Sequence, residues 1–120
     1  MNFNNTPINW HDVHDVIKDA KRIMLTTHEN PDGDGLGSQS GVYYHFKDIG
    51  KEVRIVNYSA LPNEYYFLNK NQIFEQYEKE KHDRWMKDVD LVIIFDVGDF
   101  VRIRTIADVI ESNKLKTMNI

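Results

Sequence analysis

The 120-residue chain carries 15 Lys and Arg against 19 Asp and Glu, a formal net charge of −4, with 41% hydrophobic and 28% charged residues. That balance suits one globular domain with its own core, and it excludes tight duplex-DNA binding by bulk positive charge. The absence of cysteine excludes disulfides and thiolate metal sites, and the longest apolar run, Leu91 to Phe95, is too short to cross a bilayer.

At the amino end, Met1 to Trp10 lacks the charged-then-apolar pattern of a signal peptide, so a cytoplasmic location is expected. Asn9 can cap a helix in which Trp10, Val13, Val16, Ile17 and Ala20 share one face. Ile23 to Thr27 reads as a short strand. His28 to Gly35 is a loop rich in Asp, Gly and Pro. The spacing then predicts a helix over Leu36–Ile49, with Leu36, Tyr43, Phe46 and Ile49 inward and Gly50 as its stop. Val53 to Asn57 is the next strand. Strand, helix and strand at this length make a βαβ unit with a right-handed crossover. Asn63 to Leu68 and Lys79 to Lys87 read as short helices, with the charges of Glu78 to Arg84 on a solvated face. Leu91 to Phe95 has the uninterrupted apolar character of a buried parallel strand. Asp99 can cap a last helix lined by Ile103, Ile106, Ala107 and Ile110, and Leu115 to Ile120 is a further strand. The expected fold is α/β, a mostly parallel sheet with helices on both faces.

In such sheets ligands bind beyond the carboxyl ends of the strands. The loop after the first strand and Asp96 after the apolar strand belong on that edge. Pro31 and the neighbouring glycines force a tight turn, so that His28, Asp32 and Asp34 can point into one small volume. Carboxylates held that close repel unless protonated or bound to a cation. Three carboxylates and one imidazole suit Mn(II) or Mg(II) better than copper or structural zinc. A bridging Asp96 could hold two ions about 3.5–4 Å apart, the spacing that activates water and steadies a transferring phosphoryl group. The amides opening the following helix could hold a phosphate oxygen. Taken singly, each feature has a plainer reading: Asp-Gly-Asp-Gly as a turn, Asp96 as the start of a loop, His28 as a polar loop residue. An EF-hand is excluded, because Gly41 stands where its twelfth-position Glu is required.

The pattern His28-x-x-Pro31-Asp32-x-Asp34-x-x-Gly37-Ser38 resembles the first motif of the DHH phosphoesterases, and Asp96 in Ile93-Ile94-Phe95-Asp96 resembles their second. Within that family the chain looks most like the bifunctional oligoribonucleases that also dephosphorylate 3'-phosphoadenosine 5'-phosphate. The resemblance implies a hydrolase with two manganese ions. His28 and Asp32 would bind one ion, Asp34 the other, and Asp96 would bridge them. Asp34 and Asp96 are then the expected catalytic residues. Implied substrates are short RNA, 3'-phosphoadenosine 5'-phosphate or cyclic dinucleotides, with polyphosphate as the alternative. The expectation for residues 1–120 is the amino-terminal part of the domain, without the Asp-His-His motif or the carboxy-terminal substrate domain. Such a piece would be a poor catalyst, with an exposed sheet edge that favours homodimers. A different class of function is a binding module that keeps half a metal site.

Other residues read more plainly. His11 and His14 lie one turn apart on the first helix, and His45 and His82 are expected in solvent. Arg102 and Arg104 could face phosphate but read as surface charge. Tyr65, Tyr66 and Phe67 could stack on a base, although such a cluster is more often core.

Overall fold

The aliphatic and β-branched runs pair into a five-stranded, all-parallel sheet in a computed structural model that describes residues 8–120. The reading of the extreme amino end, residues 1–7, lies outside the described residues. In chain order the elements are α1 (Trp10–Asp19), β1 (Arg22–Thr27), α2 (Gly33–Asp48), β2 (Glu52–Asn57), a 3₁₀ helix (Asn63–Asn69), β3 (Phe74–Gln76), α3 (Lys79–Met86), β4 (Leu91–Phe95), a 3₁₀ turn (Phe100–Ile103), α4 (Thr105–Ser112) and β5 (Thr117–Asn119). The strand order is β3-β2-β1-β4-β5. The chain therefore builds outward from β1 through β2 to β3, then returns to lay β4 against the other side of β1. The order reverses between β1 and β4, and a crevice opens above such a reversal at the carboxyl ends.

Strand alternation feeds two cores, one on each face of the sheet. Ile23, Leu25, Leu91, Ile93 and Phe95 pack with Ala20, Phe46, Val53 and Ile55 on the side of α1 and α2. Met24, Val92 and Ile94 pack with Met86, Ile103, Ile106 and Ile110 on the side of α3 and α4. Helices on both faces are thus what the apolar β4 run demands, since all five of its residues are buried. Among the described residues no helix is long and apolar enough to cross a membrane.

Several elements differ from the sequence expectation. Helix α2 begins at Gly33, three residues before the predicted start, because Asp32 caps it and accepts from the Gly35 amide. Trp10 and Ile49 are exposed rather than inward; each sits at a helix end beyond the reach of the sheet. Strand β3 was not expected, being three residues long with Glu75 at its centre. Asp99 caps the 3₁₀ turn through the Val101 amide rather than α4, which starts only after Arg104. His82 is fully buried, not solvated. It shares the inner face of α3 with Met86 one turn on, its Nδ1 accepts from the Glu78 amide at 2.9 Å, and its Nε2 stands 3.3 Å from Glu75 Oε1. His45 is exposed as expected. Tyr66 and Phe67 are 60% and 66% exposed, so the core reading fails for them, while Tyr65 is half-buried.

Candidate metal centre

Register places the candidate ligands. Thr27 pairs with Phe95 as the last partners of β1 and β4, so His28 and Asp96 leave the sheet side by side at the strand-order reversal. The Asp96 amide donates to the Ile120 carbonyl at 3.0 Å, which fixes its backbone from the β5 side. Asp96 has φ 55, and Asn30 and Arg104 on the same edge have φ 51 and 56. Asp and Asn tolerate this left-handed region better than most residues. Backbone strain of this kind concentrates at functional sites.

His28, Asp32 and Asp96 form a group whose ligand atoms all lie within 4.8 Å of one another. His28 Nε2 is 3.5 Å from Asp96 Oδ2. On an octahedral ion, neighbouring ligand atoms stand about 3 Å apart and opposite ones about 4.2 Å. The three atoms therefore fit one small divalent ion with little movement. The imidazole is prepared for this role. Its Nδ1 lies 2.6 Å from the Glu29 carbonyl, an acceptor, and the tautomer with the proton on Nδ1 would leave the Nε2 lone pair for a metal ion. His28 is buried while the Asp96 carboxylate is half-exposed, which leaves the site open on one side.

Asp34 does not join this group. The early start of α2 puts it in the first helical turn, two residues beyond Asp32. Residues two apart on a helix point to different sides. Asp34 is exposed and remains at the same helix end, where the helix dipole favours negative charge.

The loop that carries the site is tied down from three directions. The Glu29 amide donates to the Arg102 carbonyl at 2.8 Å, and Arg104 grips the Glu29 carboxylate in a two-pronged ion pair at 2.7 and 2.8 Å. The Arg104 contact, with added positive charge from Arg102, pulls the Glu29 carboxyl below its usual range. The Asn30 amide donates to Ser59 Oγ at 3.0 Å. Beneath the loop, Asn57 Oδ1 accepts from the Thr27 amide and from Gln39 Nε2, and its own amide donates back to Gln39 Oε1. All three residues are buried, so this closed amide pair joins β1, β2 and α2 without an unmet polar group. Arg102 and Arg104 are exposed, as surface charge should be, and they also support the site; the Arg102 guanidinium stands 3.3 Å from His28 Nδ1. Their partners are 74 and 75 residues away, a distance at which no sequence periodicity operates. His11 and His14 are exposed on α1 and take no part.

Gly35 explains how α2 comes so close to β1. A Cβ there would stand 2.6 Å from Thr27 Oγ1 and 3.4 Å from Thr27 Cβ. The threonine hydroxyl cannot swing away freely, because it donates to the Phe95 carbonyl at 2.8 Å. Gly35→Ala is expected to cost about 1–3 kcal/mol through overpacking, a drop of several degrees in Tm. Adding Thr27→Ala should recover part of the loss; strict additivity in a double-mutant cycle would show that the clash is not the cause.

Comparison with known proteins concerns the family and the fold. The family profile described as DHH family, N-terminal domain, matches residues 22–120. A crystal structure of an exopolyphosphatase-related protein from Bacteroides fragilis superposes with a TM-score of 0.77 at 20% identity, covering 92% of this chain and 33% of that one. At that identity the likeness concerns the fold. This chain spans a third of that protein's length. No curated protein matches the sequence. The switch-point position of His28 and Asp96 and the family match over β1 to β5 lead to one conclusion: the chain belongs to the DHH family and carries its amino-terminal domain.

Proposed function

We propose that this chain is part of a metal-dependent phosphoesterase in which His28, Asp32, Asp34 and Asp96 hold Mn(II), with Mg(II) as the alternative ion. The observation that carries the reading is the convergence of His28, Asp32 and Asp96 within 4.8 Å at the carboxyl edge of a parallel sheet. Divalent ions there would polarise a phosphoryl oxygen and lower the pKa of a water molecule. The chain's own residues supply the frame. His28 presents Nε2, Asp32 offers a carboxylate while capping α2, Asp96 stands beside His28 after β4, and Asp34 is the carboxylate left for a second ion. The Glu29–Arg104 pair holds the loop in register.

The substrates this reading favours are short oligoribonucleotides and 3'-phosphoadenosine 5'-phosphate. An open groove of about 520 Å³ is lined by Tyr58, Phe100, Val101 and Arg104, among others, and reaches the site's loop only through Arg104, the partner of Glu29. That volume suits a nucleotide, and aromatic walls suit a base, which has a face to stack. The second reading is a polyphosphate hydrolase, favoured by the name of the B. fragilis protein. The test incubates this chain, and a version extended through the following domain, with Mn(II) and each of short RNA, 3'-phosphoadenosine 5'-phosphate and polyphosphate. Release of mononucleotide or phosphate from the first two by the extended protein is the expected result. Cleavage of polyphosphate alone would move the assignment to the second reading. No metal-dependent hydrolysis by either protein would remove the enzyme assignment.

A further inference from the structure

Tyr65 lies outside every role assigned above. It is half-buried in the 3₁₀ helix that follows the carboxyl end of β2, on the same edge as the metal group. Its ring meets the first turn of α2 at Gly33, the residue between Asp32 and Asp34. A Cβ on Gly33 would stand 3.4 Å from Tyr65 Cε1, 3.5 Å from its hydroxyl oxygen and 3.8 Å from Cζ. The hydroxyl end of the ring, not its root, is thus the part that reaches the helix. Glycine at position 33 leaves room for that approach.

The hydroxyl has no protein partner among the described residues. Its backbone is held separately, with the amide donating to the Pro62 carbonyl at 3.0 Å. A phenol that was simply filling space could lie with its hydroxyl in open solvent, as Tyr66 does at 60% exposure. Tyr65 instead brings a neutral donor to the first turn of α2, at the residue between Asp32 and Asp34. A neutral donor adds no charge there, and it can give its proton to a phosphoryl oxygen without competing for the metal.

We propose that Tyr65 is a substrate-binding residue whose hydroxyl donates a hydrogen bond to a non-bridging oxygen of the phosphoryl group at the metal centre. The assignment rests on the metal-centre reading above. It also assigns the 3₁₀ helix a function, as the element that carries the donor across to the β1 loop.

The experiment measures binding rather than turnover. Mn(II) affinity, and then inorganic phosphate affinity at saturating Mn(II), are determined by calorimetry for the wild-type chain and for Tyr65→Phe, Tyr66→Phe and Asp96→Asn. The expected result is Mn(II) affinity within twofold of wild type for both tyrosine variants. Phosphate should bind about tenfold more weakly to Tyr65→Phe, the typical loss for one hydrogen bond to a charged group, and unchanged to Tyr66→Phe. Equal phosphate affinity in wild type and Tyr65→Phe, with Mn(II) bound, overturns the role of Tyr65 alone. Equal losses in the two tyrosine variants also overturn it, because the effect would then not be local. Failure of the wild-type chain to bind Mn(II) overturns the metal reading, and the proposal with it.

Discussion

Replacing Asp96 is expected to abolish metal-linked behaviour while leaving the fold intact. Even residues that only support a metal ligand change affinity 10- to 100-fold when altered, so loss of a direct ligand should cost roughly a hundredfold or more. The cleanest readout is thermal. A ligand present at about a hundred times its Kd stabilises the native state by about 2.7 kcal/mol. Mn(II) should therefore raise the melting temperature of the wild-type chain by several degrees, and an Asp96 variant should show almost none of that rise. Two opposing effects act on the metal-free variant. Asp32 and Asp96 offer oxygens within 4.8 Å, so removing one charge relieves repulsion. Asp96 also has φ 55, where alanine is strained by about 1–2 kcal/mol. Asp96→Asn separates them, since asparagine tolerates that backbone and keeps the shape. The metal-free Asn variant should be as stable as wild type or slightly more so, and the Ala variant somewhat less. A Mn(II)-dependent rise of normal size in Asp96→Asn would rule out this carboxylate as a ligand.

How much of this was legible beforehand depended on the range of the signal. The β1 and β4 strands, the crossover and the shared edge of His28, Asp32 and Asp96 follow from apolar runs and loop chemistry, both local features. Helix α2 starts earlier than its local sequence predicts, because Gly33, Gly35 and Gly37 lower helix propensity while the Asp32 cap and the contact with Thr27 override it. That shift of three residues is why Asp34 stands apart from the other three candidates. Glu29, Asn57 and Gln39 leave no trace in the sequence as parts of the site, and Arg104 reads there as surface charge, because each acts through a partner on another element. The burial of His82 is hidden from the sequence for a related reason. It sits in a helix of charged residues, and nothing local reveals that its side of that helix turns to the sheet. The exposure of Tyr66 and Phe67 likewise depends on where a 3₁₀ helix settles at the sheet edge, which no periodicity records.

His82 belongs to the ionic cluster with the largest expected influence on stability. Glu75, at the centre of β3, faces Arg54 from β2 and His82 and Lys81 from α3. Arg54 Nε donates to Glu75 Oε2 at 2.8 Å, and its second nitrogen makes a parallel contact with Oε1. Burial by itself would raise the Glu75 pKa, but hydrogen bonding and charge from Arg54, helped by His82, outweigh it and bring the pKa down to about 2 from 4.5. A carboxylate depressed in the folded state adds stability above its unfolded pKa, and this is lost as pH falls toward the folded value. The window here runs from about pH 4.5 down to about pH 2. Full linkage over that shift corresponds to about 3 kcal/mol, a large share of the stability of a domain this size. Glu75→Gln should therefore destabilise the chain by about 2–3 kcal/mol at pH 7, with β3 and the His82 side of α3 loosening first. The wild-type advantage should shrink by about 1.4 kcal/mol when urea denaturation is repeated at pH 3.5, because much of the linkage is then gone. Hydrogen exchange should show β3 amides losing protection before those of β1 and β4. A difference between wild type and Glu75→Gln that stays constant from pH 7 to pH 3.5 would mean that packing, not the charge of Glu75, holds the β3 edge of the sheet.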